Sequence, residues 1–465
     1  RWDWNSLLGG DPERRFGSYS REYFPPAAEL VRYLADYARD NRLQIDFDAR
    51  VESIARSAGD FVVRIVGGCR YRARCVVIAT GVSKPVVPAI AGIEHAECYT
   101  KVSVDPVDFE GQRVLVLGKG NSAFETADNL IPVTRTLHMA SPHPLQLAWQ
   151  THHVGHLRAV NNNFLDTYHL KSQNALINAE VRRIERRGDG LHVTYAYRHA
   201  DGEVETLVYD RVIYCTGFRF DSSLFADDCR PQLVIDDRFP AQTSAYESVN
   251  VPGLFFAGVL NQARDYKKKQ SGFIHGFRYN AEFLGRYLAQ RYAGQPLEAE
   301  SLGARAEDIS AWIIARVNSC SALWQQTGYF CDAIVAEDGG WRGVRRLPID
   351  FVRDTVARDG ECFMVSLEFG QRYFDEARNV FAIPRPHKAD ASRAAESPGL
   401  HPVVRHYRHG ALVSEHHLLE DFENVWREDV HRRPLQTYLQ ASLESGEQDI
   451  GDAQLSRVPD GVVVH

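Results

Sequence analysis

The sequence is short of several things, and each shortage narrows the reading. Methionine occurs only at Met139 and Met364, and the first residue is Arg1. The expectation is a remainder of a longer protein whose beginning is missing. Lysine is scarce, 8 against 46 arginines, which reads as the bias of a bacterial-type genome and not as the mark of a partner. No stretch approaches ~18 consecutive apolar residues, so no membrane span and no membrane partner is expected. Arg1-Trp2-Asp3-Trp4 lacks the apolar core of a signal peptide. Eight cysteines are too few for a disulfide scaffold at this length. None forms C-x-x-C, and the nearest pairs are Cys69/Cys75 and Cys320/Cys331, so zinc sites and thioredoxin-type dithiols are disfavoured and no metal is expected. There is no Asn-x-Ser/Thr sequon. With 61 acidic against 54 basic residues the net charge is −7, and the basic footprint of a nucleic-acid binder is absent. Cytoplasm is the default location. No internal repeat and no heptad run occurs.

What is present is the composition of a folded protein: 44% apolar and 25% charged residues. The length suggests two to four domains. Ala27 to Arg39 has helical spacing after Pro25-Pro26. Residues 61–66 and 75–79 read as strands, followed by a connector punctuated by Pro85 and Pro88. Val114 to Leu117 is another apolar run, then come Gly118-Lys119-Gly120, a helix over 122–130 and a strand over 136–139. Residues 143–175 lack periodicity and read as loop and short helix. A strand is expected over 204–215, another over 254–257, and a helix over 272–289. Beyond a boundary near 300, a helix over 309–317, a strand over 362–367 and a loop over 384–399 are expected.

Gly118-Lys119-Gly120-Asn121-Ser122-Ala123 fits G-x-G-x-x-A/G between a strand and a helix. The first glycine permits a tight turn, the second lets backbone approach a pyrophosphate, and the small Ala123 allows close helix–strand packing. The helix N-terminus then offers free N–H groups to phosphates. Asn121, Ser122 and Glu125 join the glycines as candidate cofactor contacts. An acid at the end of the next strand would hold a ribose 2′-OH, and a basic residue would accept a 2′-phosphate. Ala140-Ser141-Pro142-His143 has no acid and no Arg. NADPH is therefore the expected donor, with NADH the alternative, and Ser141 and His143 are the candidate phosphate neighbours.

Val76 to Gly81 and Val212 to Gly217 are each an apolar run ending in Thr-Gly. Bracketing a Rossmann unit, Thr80-Gly81 and Thr216-Gly217 resemble the two-dinucleotide-binding flavoproteins, which include flavin-containing monooxygenases and N-hydroxylases. Tyr23-Phe24-Pro25 and Pro252 to Gly258 extend the likeness. A closer resemblance rests on Asp3-Trp4-Asn5-Ser6-Leu7-Leu8, Gly120 to Ala127, Leu165 to Tyr168 and, most specific, Gly272-Phe273-Ile274-His275-Gly276-Phe277-Arg278-Tyr279. His401-Pro402-Val403 and Glu420-Asp421-Phe422 carry it into the tail. These residues are similar to the FAD-dependent oxidoreductase domain-containing protein 2 family. The resemblance implies an α/β fold of two Rossmann-like domains, the NAD(P)H domain inserted in an FAD domain, plus a C-terminal α+β extension. The boundaries expected are 1–110 and 206–300 for the two parts of the FAD domain, 111–205 for the NAD(P)H domain and 301–465 for the extension. The FAD G-x-G-x-x-G of such proteins is absent from residues 1–110 and is expected before Arg1.

The resemblance implies FAD and NADPH as cofactors, and a small-molecule substrate with O₂ as partners. Gly258, Gly272 and Phe273 are the further cofactor candidates. His275, Arg278 and Asp265 are the candidate catalytic residues, with the 272 helix aimed at the flavin N1–C2 carbonyl. His152, Arg158, Asn162, Tyr168 and Lys171 form a polar cluster suited to a substrate entry. The monooxygenase marker F-x-G-x-x-x-H is imperfect here, because Ile90 replaces its Phe and His95 falls one residue early. The expected activity is NAD(P)H-dependent flavin monooxygenation of a small molecule, N-oxygenation of an amine or amino acid being one case. The rival is a flavoprotein that mainly binds other proteins, like its relative in the endoplasmic reticulum.

Overall fold

A computed structural model of the chain describes residues 15–22, 25–151, 153, 155–170, 173–337, 339–370 and 383–455. The chain divides into two compact units, one of residues 50–241 with 248–268, the other of the remaining segments.

The first unit holds a five-stranded parallel sheet. Its elements are β1 (Glu97–Cys98), β2 (Arg113–Leu117), α1 (Asn121–Leu130), β3 (Thr136–Ser141), β4 (Asn174–Asn178) and β5 (Arg211–Tyr214). The strand order is β1-β5-β2-β3-β4, with every neighbour parallel. Val114, Leu115, Val116 and Leu117 are all buried, as expected of a parallel strand covered on both faces. α1 covers one face with Ala123, Phe124, Ala127 and Leu130, a helical stripe packed on Val114 and Val116. The other face packs Leu115 and Leu117 against Ile184, Val193 and Tyr195 of an antiparallel sheet of Glu180–Arg187, Gly190–Ala196 and Val204–Tyr209.

The single strand expected over 204–215 is two strands in two sheets. Asp210 makes the break: its carboxylate accepts bonds from the Arg113 backbone N–H (2.7 Å) and guanidinium (2.6 Å). The chain thereby leaves the antiparallel sheet and enters the parallel one as β5.

The same unit has a second core under the antiparallel strands Val51–Ser57, Asp60–Ile65 and Arg70–Ala73. There Val76–Ile78 pairs in parallel with Leu254–Phe256.

The other unit carries the helix Ala27–Asp40, α2 (Ile274–Ala293) and a six-stranded sheet. That sheet runs Ala299–Leu302, Gly340–Pro348, Phe330–Glu337, Glu361–Phe369, Leu400–Arg408, Ala411–His417, all antiparallel. Only the 361–369 strand was expected from the sequence. Leu400–Arg408 hides its strand character because Arg405 and His406 interrupt its apolar run. Both are paired on neighbouring strands, Arg405 with Glu368 and Glu415, His406 with Glu361. The helices Ala306–Ser319 and Asp429–Leu455 pack against one another in this unit. Among the described residues no helix is long and apolar enough to cross a membrane.

Candidate functional site

The glycine turn follows β2 directly. Gly118 sits at φ +130°, and a Cβ there would lie 2.5 Å from the Cys215 carbonyl oxygen. Only glycine lets β2 and the end of β5 approach so closely. Ala123 is fully buried and lies 3.5 Å from the same point, so a larger residue would push α1 off the sheet. Gly120 is the opposite case. It caps α1 in extended conformation without a side-chain cap, and a Cβ on it would meet nothing within 4 Å. The turn is therefore closed toward β5 and open outward. The first-turn N–H groups of α1, at Asn121, Ser122 and Ala123, belong to the open end.

The end of β3 lies beside this turn. The Ser141 hydroxyl donates to the His143 carbonyl (3.1 Å) and accepts from its N–H (3.3 Å), which folds Pro142 outward and leaves His143 exposed. Sequence reasoning missed Lys119, the middle residue of the turn. Its ammonium donates to the carbonyls of Ser141 (3.4 Å) and His143 (3.4 Å) and to Asn178 Oδ1 at the end of β4. Burial pushes its pKa down to about 8.

Asn121 acts as a clasp. Its amide donates to the His156 carbonyl (2.9 Å), and its carbonyl accepts from Arg158 N–H (3.1 Å) and the Asn161 amide (3.2 Å). Asn161 also donates to Glu125 (3.1 Å). The structure so brings Asn121, Glu125 and Arg158 together at the start of α1, with Arg158 exposed. Asn162 follows, its Oδ1 buried. Tyr168 is 39% exposed on the separate helix Asn163–Leu170. His152 and Lys171 lie outside the described residues. The histidine that the fold does bury is His153, 6% exposed, edge-on to His156 at 4.6 Å. Both His153 ring nitrogens are buried with no partner among the described residues. Burial, then the neighbouring His156 and Lys267, lowers its pKa to about 4. Among the described residues no group of three or more metal-ligating side chains forms.

The second Thr-Gly end is tied to the segment that follows the first. The Thr216 hydroxyl donates to the Val86 carbonyl (2.6 Å), and Val86 N–H donates to the Gly217 carbonyl (2.9 Å). Lys84–Pro85 and Phe218–Arg219 then pair as a two-stranded antiparallel ribbon. Thr80 and Gly81 lead into it from the Val76–Ile78 strand. Beside that strand, Ala257 N–H donates to the Ile78 carbonyl (2.9 Å), and Gly258 follows with open space where a Cβ would stand. Asp265 is 2% exposed in the loop beyond.

In the other unit, Phe273 caps α2 with no side-chain cap bond, and Gly272 precedes it. His275 meets Gln270 Oε1 (2.9 Å) and stacks on Phe273 at 5.7 Å. The Arg278 guanidinium donates to Tyr279 OH (2.8 Å) and lies over that ring. Gly276 explains the Gly within this run: a Cβ would stand 2.1 Å from the Gln270 carbonyl oxygen, so the 270 loop lies directly on the first turn of the helix. His275, Arg278 and Phe273 thus share one helix start, whereas Asp265 belongs to the other unit. None of the eight cysteines forms a disulfide.

The model of the pyridine nucleotide-disulphide oxidoreductase family matches residues 13–258. FAD-dependent oxidoreductase domain-containing protein 2 of Mus musculus is 33% identical over 96% of this chain and 74% of its own length. The Danio rerio protein of the same name is 30% identical over the same shares. Among solved structures, the bacillithiol disulfide reductase of Bacillus cereus is similar at 20% identity, covering 58% of this chain and 80% of that one with a TM-score of 0.48. The family uses FAD and a nicotinamide dinucleotide. On a match that spans nearly its whole length, the chain belongs to the FAD-dependent oxidoreductase domain-containing protein 2 family, among the pyridine nucleotide-disulphide oxidoreductases, and is a flavoprotein oxidoreductase.

Proposed function

We propose that the protein takes electrons from NADPH through FAD and uses O₂ to oxygenate a small molecule, an amine or amino acid being the first class to try. The observation that carries the nucleotide half is the Gly118–Gly120 turn, closed on Cys215 and open above Gly120. That open cradle fits a pyrophosphate: α1 presents uncapped N–H groups there, and its dipole favours negative charge. Within the first unit, the residues suited to FAD are Thr80, Gly81 and the open Gly258. A G-x-G-x-x-G cradle for its ADP half is not among residues 1–110.

When bound, the flavin would supply the two-electron chemistry, leaving one oxygen atom on the substrate and one in water. The chain's own work is positional. Gly118 brings the β2 and β5 ends together, and Thr216 ties the second Thr-Gly end to Val86. Arg158, whose backbone N–H is held by Asn121 while its side chain is exposed, is suited to an anionic group, and His153 contributes a buried neutral ring. With no C-x-x-C in the sequence and no disulfide among the cysteines, oxygen is preferred to a dithiol relay as the route for the electrons.

The test is an anaerobic titration of the full chain, supplied with FAD, by NADPH and by NADH. Bleaching of flavin absorbance by NADPH, then O₂ uptake raised by an amine, is the expected result. Bleaching by neither donor overturns the reading. Slow reduction indifferent to any substrate, together with stable complexes with other proteins, favours the protein-binding rival.

A further inference from the structure

The end of β3 carries neither the acid that would hold a ribose 2′-OH nor an arginine for a 2′-phosphate. The structure brings a cation there from another part of the chain. Lys119 leaves the glycine turn and turns back across the ends of two strands. Its Nζ reaches the Ser141 and His143 carbonyls, which close β3, and Asn178 Oδ1, which closes β4. In a strand–turn–helix–strand unit the pyrophosphate belongs at the helix start, and the adenosine ribose belongs at the end of the next parallel strand. Ser141 is that end. A charged amine therefore occupies the position from which the ribose is read.

All three of its acceptors are neutral oxygens. Half-buried, with burial as the sole resolved cause of its lowered pKa, the ammonium keeps a charge that no carboxylate among the described residues balances. A simple structural tie would be served by a neutral donor at less desolvation cost. A 2′-phosphate is the group that would balance it.

We propose that Lys119 is the specificity residue that reads the 2′-phosphate and so selects NADPH over NADH. Asn178 and the Ser141–His143 turn orient its ammonium. This rests on the dinucleotide-binding reading above, and the experiment separates the two.

Equilibrium binding to the full chain, by calorimetry, compares NADP⁺ with NAD⁺ and 2′,5′-ADP with 5′-ADP, for wild type, Lys119→Gln and Lys119→Arg. The wild type is expected to prefer each 2′-phosphorylated ligand by about 10- to 100-fold, the weight of a charge-assisted hydrogen bond. Lys119→Gln removes that preference and leaves NAD⁺ affinity within about twofold, while Lys119→Arg keeps most of it. A melting curve with wild-type midpoint shows that the Gln variant is folded. Equal wild-type affinity for NADP⁺ and NAD⁺ overturns the proposal. So does an equal loss of both ligands in Lys119→Gln, or a Gln variant that does not fold together with an Arg variant that shows no preference. Failure of the wild type to bind either dinucleotide overturns the dinucleotide-binding reading itself.

Discussion

Two parts of the molecule treat buried charge in opposite ways. In the six-stranded sheet, Asp332, Glu368 and Glu361 each meet charges of the other sign. Asp332, fully buried, accepts from the Arg316 guanidinium at 2.5 Å and from Arg346 N–H at 2.7 Å. Burial pushes the Glu368 carboxyl up, but the Arg405 hydrogen bond and charge outweigh it and hold the pKa at about 2. Glu361 serves both His406 and Arg408. In the nucleotide unit, the half-buried Lys119 faces neutral oxygens, and His153 is buried as a neutral ring beside another base. Paired charges lock a sheet; unanswered ones leave room for a ligand to complete the set. The first kind of region spends its polar groups on its own geometry, and the second reserves them.

The largest expected effect tests the locked side. Asp332→Ala strands the Arg316 charge in the core and should cost about 3–5 kcal/mol in urea unfolding. A loss under ~1 kcal/mol would break the comparison.

Next comes acid sensitivity on the reserved side. His153 has a folded pKa of about 4 against an ordinary value of 6.5. Between those values the unfolded chain binds the extra proton, so stability rises with pH through the window and is lost as pH falls from about 6.5 to 4. The share of His153 is at most about 3 kcal/mol, and His153→Leu should flatten the profile there. An unchanged profile in urea midpoints measured across that range contradicts the buried, unpartnered ring.

Gly118→Ala follows, with about 2 kcal/mol of backbone strain and carbonyl overlap expected in thermal melts. Dinucleotide affinity should fall with it, because the turn must open. Asn121→Ala is the smallest, about 1 kcal/mol. Its clearer readout is faster proteolysis within residues 155–161, and no change there would deny the clasp.

What the sequence disclosed follows from how far apart the partners lie. The strand–turn–helix over 113–130 was legible because its signals are local: an apolar run, two glycines, a small residue and an amphipathic stripe. The Thr-Gly pair was legible as a repeated ending, although only the fold shows Thr216 bonded to Val86. Lys119 was visible as a letter, but not its direction, because that depends on where β3 and β4 finish. The neighbouring histidines at 153 and 156 gave no sign of which one turns inward. The 400–408 strand was hidden because Arg405 looks solvated until Glu368, far away in sequence, lies beside it.

The ribbon of Lys84–Pro85 against Phe218–Arg219 has one more consequence. A chain that passed once between the parallel sheet and the sheet of residues 51–73 would act as a swivel. Here it passes twice, out and back, and the passages are laced by backbone bonds. Such a strap resists stretching and sideways shear, yet short two-stranded ribbons twist readily. Any relative displacement of these sheets would be channelled into torsion about one axis, with the Thr216 hydroxyl bonded at the base of the strap.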